Sequence, residues 1–171
     1  VTSPQLEQKF TSVITKHQGI IHKVCGMYCH HPEERKDLFQ EIISQLWRSF
    51  PSFRGDSMVS TWMYRVALNT AISSFRKESK RKDKESINER IFQIPISKPN
   101  EDKEEKLKYL YKAIGLLSKV EKAIIMLYLE EHSYEEIAQI TGITKTNVGV
   151  KINRIKSKLQ RILKPMYDEL R

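Results

Sequence analysis

A chain of 171 residues that is 39% apolar can bury helical cores in one domain or two small ones, and a net charge of +9 with a pI near 9.5 points to an anionic partner, nucleic acid being the commonest. Two classes are excluded at once: no uncharged apolar run is long enough to insert into a membrane, and two cysteines are too few for a secreted disulfide scaffold. No charged-then-apolar export segment is recognisable, so the expected location is the cytoplasm.

The first 78 residues carry at least four helical patterns. In the first, Cys25 and Cys29 lie beside Ile21, too close along one helix for a relaxed disulfide. His22, Cys25, Cys29 and His30 form a local cluster of soft ligands, and positions 22, 25 and 29 share a helix face with a spacing able to hold a metal. The plainer reading makes both cysteines small core residues and puts the histidines near the helix end, and no cofactor is expected.

Next, ERKDLFQEIISQLWRSF (Glu34 to Phe50) places Leu38, Ile42, Leu46 and Trp47 on one side and Asp37, Gln40, Glu41 and Gln45 largely on another. One side can pack while the other docks a partner. A polar loop with Phe53, Arg54 and Gly55 follows, then a long helix from Ser60 to about Lys82. Its Trp62, Val66, Ala67, Ala71, Ile72 and Phe75 fall at helical spacing, leaving Tyr64, Arg65, Leu68, Asn69, Ser73, Arg76 and Lys77 for the outer faces. An aromatic loop beside a polar and basic helix suits single-stranded nucleic acid: a base can stack on a ring, Asn69 can read its edge, and arginines can hold phosphates. Against this, aromatics at such spacings usually belong to a core.

Residues 79–105 are dense in charge, contain Pro95 and Pro99 and show no sustained periodicity, so they read as a linker; Ile91, Phe92, Ile94 and Ile96 suit it to a partner's groove. Beyond it, an apolar helix from Ala113 to Leu129 precedes SYEEIAQITGITKTNVGVKINRIKSK (Ser133 to Lys158). There Ser133 can N-cap a short helix with Glu136 completing a capping box, Gly142 supplies a positive-φ stop, and Thr144 can cap a second helix from Lys145. Ile137, Ile140, Val148, Ile152, Ile155 and Leu159 recur at three- and four-residue steps as one buried face, with small Ala138 permitting a close crossing. From Lys145 to Lys164 the charges are all basic. This is a helix-turn-helix whose second helix suits the major groove. Duplex reading needs phosphate anchors and base-edge contacts, for which Lys151, Arg154 and Lys156 with Asn147 and Asn153 are suitable types. The fold class that follows is all-α, two small helical domains joined by a flexible linker.

DLFQEIISQLW (Asp37 to Trp47), FRGDS (Phe53 to Ser57), STWMYRVALNTAISSFRK (Ser60 to Lys77) and the helix-turn-helix, in this order, resemble regions 2 and 4 of the sigma-70 family, specifically its short extracytoplasmic-function (ECF) sigma factors. The resemblance implies an initiation factor that binds core RNA polymerase and confers promoter recognition. It divides the chain into region 2 over residues 1–78, a linker over 79–105 and region 4 over 106–171. Asp37, Gln40 and Glu41 would dock on the polymerase clamp. Phe53, Arg54, Arg65, Asn69, Arg76 and Lys77 would open and hold the minus-ten element, with Phe53 and Asn69 lining a pocket for a flipped base. Thr146, Asn147, Lys151, Asn153, Arg154 and Lys156 would read the minus-thirty-five duplex. Gly149 and Val150 stand where many members carry a basic or polar residue, which leaves the promoter sequence open. The resemblance also implies an anti-sigma factor as a partner.

No phosphate-cradling glycine loop, HExxH or supported nucleophile is recognisable, and His132 reads as a surface residue, so no catalysis is expected. The competing reading is a stand-alone helix-turn-helix regulator whose N-terminal half senses metal or redox state through the His22, Cys25, Cys29, His30 cluster.

Overall fold

The structure, a computed structural model, describes residues 3–79 and 101–168, and every regular element among them is helical. The chain divides into two compact units, residues 1–86 and 87–171.

In the first unit α1 runs Ser3–Tyr28, α2 Pro32–Ser49 and α3 Val59–Ser79, with a single 3-10 turn at Phe50–Ser52. The at least four helical patterns expected here are three α-helices and that turn, because α1 continues unbroken for 26 residues. It stops ahead of Pro32, which disfavours a helical His31; His31 is extended (φ −93°, ψ 140°) and Pro32 opens α2, followed by Glu33 and Glu34 against its positive end. Arg35 Nε closes the corner by donating to the Cys29 carbonyl at 2.9 Å. Each helix packs on the other two, and Ile21, Val24, Ile42, Leu46, Met63, Ala67 and Ala71 have no exposed surface. Because α3 is gripped from both sides, its buried arc is wide. Tyr64 and Leu68, expected on the outer faces, are core residues. Trp47, expected to pack, is 37% exposed and meets the ring of Phe10 edge-on at 5.0 Å.

In the second unit α4 (Glu101–Gly115), α5 (Lys119–Leu129) and α6 (Tyr134–Thr141) all pack on α7 (Lys145–Asp168). The helix expected over Ala113 to Leu129 is divided at Leu116 and Leu117. Ser118 caps α5 by accepting from Glu121 N, while the Glu121 carboxylate accepts from Ser118 N at 2.8 Å. That local alternative to helical bonding ends α4 and re-aims the chain. The apolar residues at 91, 92, 94 and 96 proposed for a partner's groove lie outside the described residues.

Candidate nucleic-acid interfaces

The helix-turn-helix is built by its caps. Ser133 Oγ accepts from Glu136 N at 3.1 Å and the Glu136 carboxylate accepts from Ser133 N at 3.0 Å, which defines the start of α6. Gly142 ends it at φ 77°, donating its N–H to the Ala138 carbonyl, and Thr144 Oγ1 then accepts from Asn147 N at 3.2 Å to start α7. Three residues, 142–144, therefore suffice to turn the chain between them. Ile137, Ile140, Val148, Ile152, Ile155 and Leu159 are all buried, as the periodicity predicts. A close approach of the two helices is seen at Gly149, where a β-carbon would lie 3.4 Å from the Tyr134 ring, so α7 rests against the first turn of α6 at this glycine.

Successive residues of α7 rotate by about 100°, so with Val148, Ile152, Ile155 and Leu159 inward, the opposite half carries Thr146, Asn147, Val150, Asn153 and Arg154, all exposed. Of the residues expected at the minus-thirty-five element, Thr146, Asn147, Asn153 and Arg154 thus share one outward face, while Lys151 and Lys156 lie on its flanks. Not all of the basic charge is free for a ligand. Lys156 Nζ donates to the Tyr128 hydroxyl at 2.8 Å and lies 4.5 Å from the centre of that ring, and this hydrogen bond raises its pKa. Lys158 pairs with Glu121 at 3.1 Å, and Lys145 with Glu135 at 3.1 Å. Burial alone would push the Glu121 carboxyl up, but the Ser118 N–H and Lys158 together hold it below its ordinary value. These three lysines tie α7 to α5 and α6. The sequence lacked a signal for this, since each partner lies 10 to 37 positions away. His132, expected at the surface, is half-buried between the carboxylates of Glu130 and Glu136, at 3.7 and 3.3 Å.

In the first unit Phe53 is half-buried and stacks on Trp62 with ring centres 4.9 Å apart at 26°. Trp62 also meets Phe50, so the loop is anchored on an aromatic floor. Arg54 is exposed in that loop beside Gly55, which takes φ 78°, and Arg65 is exposed on α3. Asn69 is exposed too, seven residues beyond Trp62 and so about 10 Å further along α3. It lines an open groove of about 560 Å³ with Thr70 and Ser73, opposite Asp37, Glu41 and Gln45 of α2. Phe53 does not line this groove; it lies in the loop before α3, over Trp62, about two turns ahead of Asn69. The side chains of Arg76 and Lys77 lie outside the described residues.

Asp37, Gln40 and Glu41 are all exposed on α2, but they face different ways. Asp37 and Glu41 border the groove with Asn69, whereas Gln40 borders a second, more apolar groove against α1, lined by Phe10, Phe39, Ile43 and Trp47. The exposed edge of α2 is the ridge between them.

The cysteines are buried in the core, and desolvation pushes the Cys25 thiol up to about 11. His22 stacks on Phe39 at 4.8 Å between ring centres. Among the described residues no group of three or more histidine, cysteine or carboxylate side chains could hold a metal, and no helix is long and apolar enough to cross a membrane.

The fold and these two faces define a two-unit helical nucleic-acid-binding protein, and comparison with known proteins gives its family. The Sigma-70 region 2 family model matches residues 13–81, and the Sigma-70, region 4 model matches residues 107–159. RNA polymerase sigma factor SigV of Bacillus subtilis is 31% identical over 160 residues, covering 92% of this chain and 88% of its own. RNA polymerase sigma factor YlaC of the same organism is 30% identical over 148 residues, covering 83% and 84%. The ECF RNA polymerase sigma-E factor of Escherichia coli K12 is 28% identical, covering 94% and 89%. Among solved structures, the sigma factor RpoE in complex with the anti-sigma factor NepR from Bartonella quintana superposes with a TM-score of 0.70 at 21% identity, covering 94% of this chain and 97% of that one. The chain belongs to the sigma-70 family, as an ECF sigma factor, and so is a promoter-directing transcription initiation factor.

Proposed function

We propose that the two units divide the work of initiation between melting and duplex reading. The first, over residues 1–78, binds core RNA polymerase through the exposed edge of α2, with Asp37, Gln40 and Glu41 as docking side chains, and opens the minus-ten element. The displaced strand passes along α3: one base stacks at Phe53 on its Trp62 floor, and Asn69 reads an edge about two turns further on. Arg54, Arg65, Arg76 and Lys77 are the cations that hold its phosphates.

The second, over residues 106–171, reads the minus-thirty-five duplex with the outward face of α7. The observation that carries this is the separation on one helix of a fully buried apolar face from an exposed face holding Asn147, Asn153 and Arg154. Arginine and asparagine are the residue types that pair bidentately with guanine and adenine in the major groove. Lys151 on one flank contacts the phosphate backbone, while Lys156 on the other flank is engaged by the Tyr128 hydroxyl and helps to hold α7 in place. The chain supplies no catalytic group; phosphodiester synthesis is the polymerase's, and the factor acts with it in the cytoplasm. An anti-sigma factor that covers the exposed edge of α2 and the outward face of α7 would silence both activities.

The test is co-elution of the chain with bacterial core RNA polymerase, followed by run-off transcription on a pool of genomic promoter fragments. Co-elution with new, promoter-specific transcripts is expected. Failure to bind core, together with retained duplex binding, would instead make the chain a stand-alone regulator.

A further inference from the structure

Val150 is the apolar residue on the polar face of α7. It is 41% exposed, in the second turn of the helix, and its neighbours three and four residues away on that face are Thr146, Asn147, Asn153 and Arg154. Neither packing nor helix formation accounts for it. The inward positions are taken by Val148 and Ile152, and an exposed β-branched side chain is among the weaker helix formers. Single exposed apolar residues are ordinary on protein surfaces. This one is set apart by its place, since it is surrounded by the side chains that would meet base edges, within the N-terminal part of the helix that enters the groove.

The major groove offers one apolar group on its base edges, the 5-methyl of thymine. We propose that Val150 is a specificity-determining residue that packs against a thymine methyl in the minus-thirty-five element, between bases read by Asn147 and Asn153 or Arg154. The branched side chain is short, so the contact forms when α7 seats closely in the groove. This inference rests on the reading of α7 as the duplex-binding helix and adds what one position of that duplex must be.

The experiment uses the full chain reconstituted with bacterial core RNA polymerase on a promoter recovered by run-off transcription, with the upstream element located by footprinting. Each thymine in that element is replaced in turn by deoxyuridine, which removes only the methyl group. At one position the wild-type holoenzyme should lose about fourfold in affinity, the equivalent of one buried methyl. Val150→Ser should bind the thymine and uracil duplexes equally, at the level the wild type shows on uracil. Val150→Thr, which keeps one methyl, should retain part of the discrimination. An element without thymine, indifference of the wild type to uracil at every position, or undiminished discrimination by Val150→Ser overturns the proposal. Arg154→Ala separates the two possible failures. If it leaves the upstream footprint unchanged, the reading of α7 itself fails; if it abolishes the footprint while Val150→Ser still distinguishes thymine from uracil, only the assignment of Val150 fails.

Discussion

The two units solve the same problem, presenting side chains to nucleic acid, in opposite ways. In the second, the face proposed to read the duplex belongs to one helix, and the three other helices all pack on that helix. In the first, the exposed residues are spread over α2, α3 and the loop between them, and the aromatic group at the loop is half absorbed into the fold. A face on one helix is set by periodicity alone. A face assembled from several elements depends on how each is rotated against the others, and rotation is a tertiary property. Substitutions on α7 should therefore subtract single contacts, whereas those in the first unit should separate into distinct activities according to which groove they border.

The largest effect expected from this contrast is a reciprocal one. Arg154→Ala should weaken upstream promoter binding by the holoenzyme about ten- to a hundredfold, the range for one bidentate base contact, and leave binding to core polymerase intact. Asp37→Ala combined with Gln40→Ala should do the reverse, because these residues lie on either side of the α2 ridge. Titration of each variant against core polymerase and, separately, electrophoretic mobility shifts of holoenzyme on promoter DNA would measure both. Equal loss of both activities in either variant would break the comparison.

A finer test lies within the first unit. Asn69→Ala and Phe53→Ala should each spare duplex binding and slow open-complex formation, read as reduced permanganate reactivity of thymines in the melted region. Loss of a stacking partner removes about 1 to 3 kcal/mol per base. Because Phe53 stacks on Trp62 while Asn69 borders the acidic groove, the two variants should protect different thymines. Coincident patterns would mean that the two residues serve one base after all.

What the sequence made legible follows the same division. Every step of the helix-turn-helix could be read locally: the Ser133 box, the Gly142 stop, the Thr144 cap and the six-residue apolar face all involve residues within a few positions of one another. Tyr64 and Leu68 were misplaced because a helix flanked on both sides buries more than its most apolar stripe, and periodicity cannot count neighbours. The split between α4 and α5 was missed although Ser118 and Glu121 spell the same capping box as Ser133 and Glu136, since the apolar run across it masked the break. That Asp37 and Glu41 border one groove with Asn69 follows from the packing of α2 on α3, which no single segment encodes.

The stability of the second unit can be changed without touching its reading face, which sharpens the distinction between holding and reading. Gly149 lies inside α7, and a methyl group there would make ordinary contact with Tyr134 at 3.4 Å. Gly149→Ala should raise the stability of this unit by about 1 kcal/mol through helix propensity, seen as a higher Tm, with unchanged promoter affinity. Lost affinity would show that the backbone at Gly149 approaches the duplex.

The smallest effect concerns the pair that ties α7 to α5. Glu121 is held below the ordinary carboxylate value of 4.5 although burial opposes this, by the Ser118 N–H and by Lys158 at 3.1 Å. A carboxyl whose folded pKa is depressed stabilises the fold above its unfolded pKa, and the contribution is lost as pH falls through the folded value. Lys158→Met, which keeps the apolar stem and removes the charge, should therefore cost a few tenths to about 1 kcal/mol at neutral pH, the range for a solvent-accessible pair. The gap between wild type and variant should close on acidification below the ordinary carboxylate range, as thermal melts across pH would show. A gap that persists in acid would mean that the Lys158 ammonium stabilises the unit by an interaction other than its pairing with ionised Glu121.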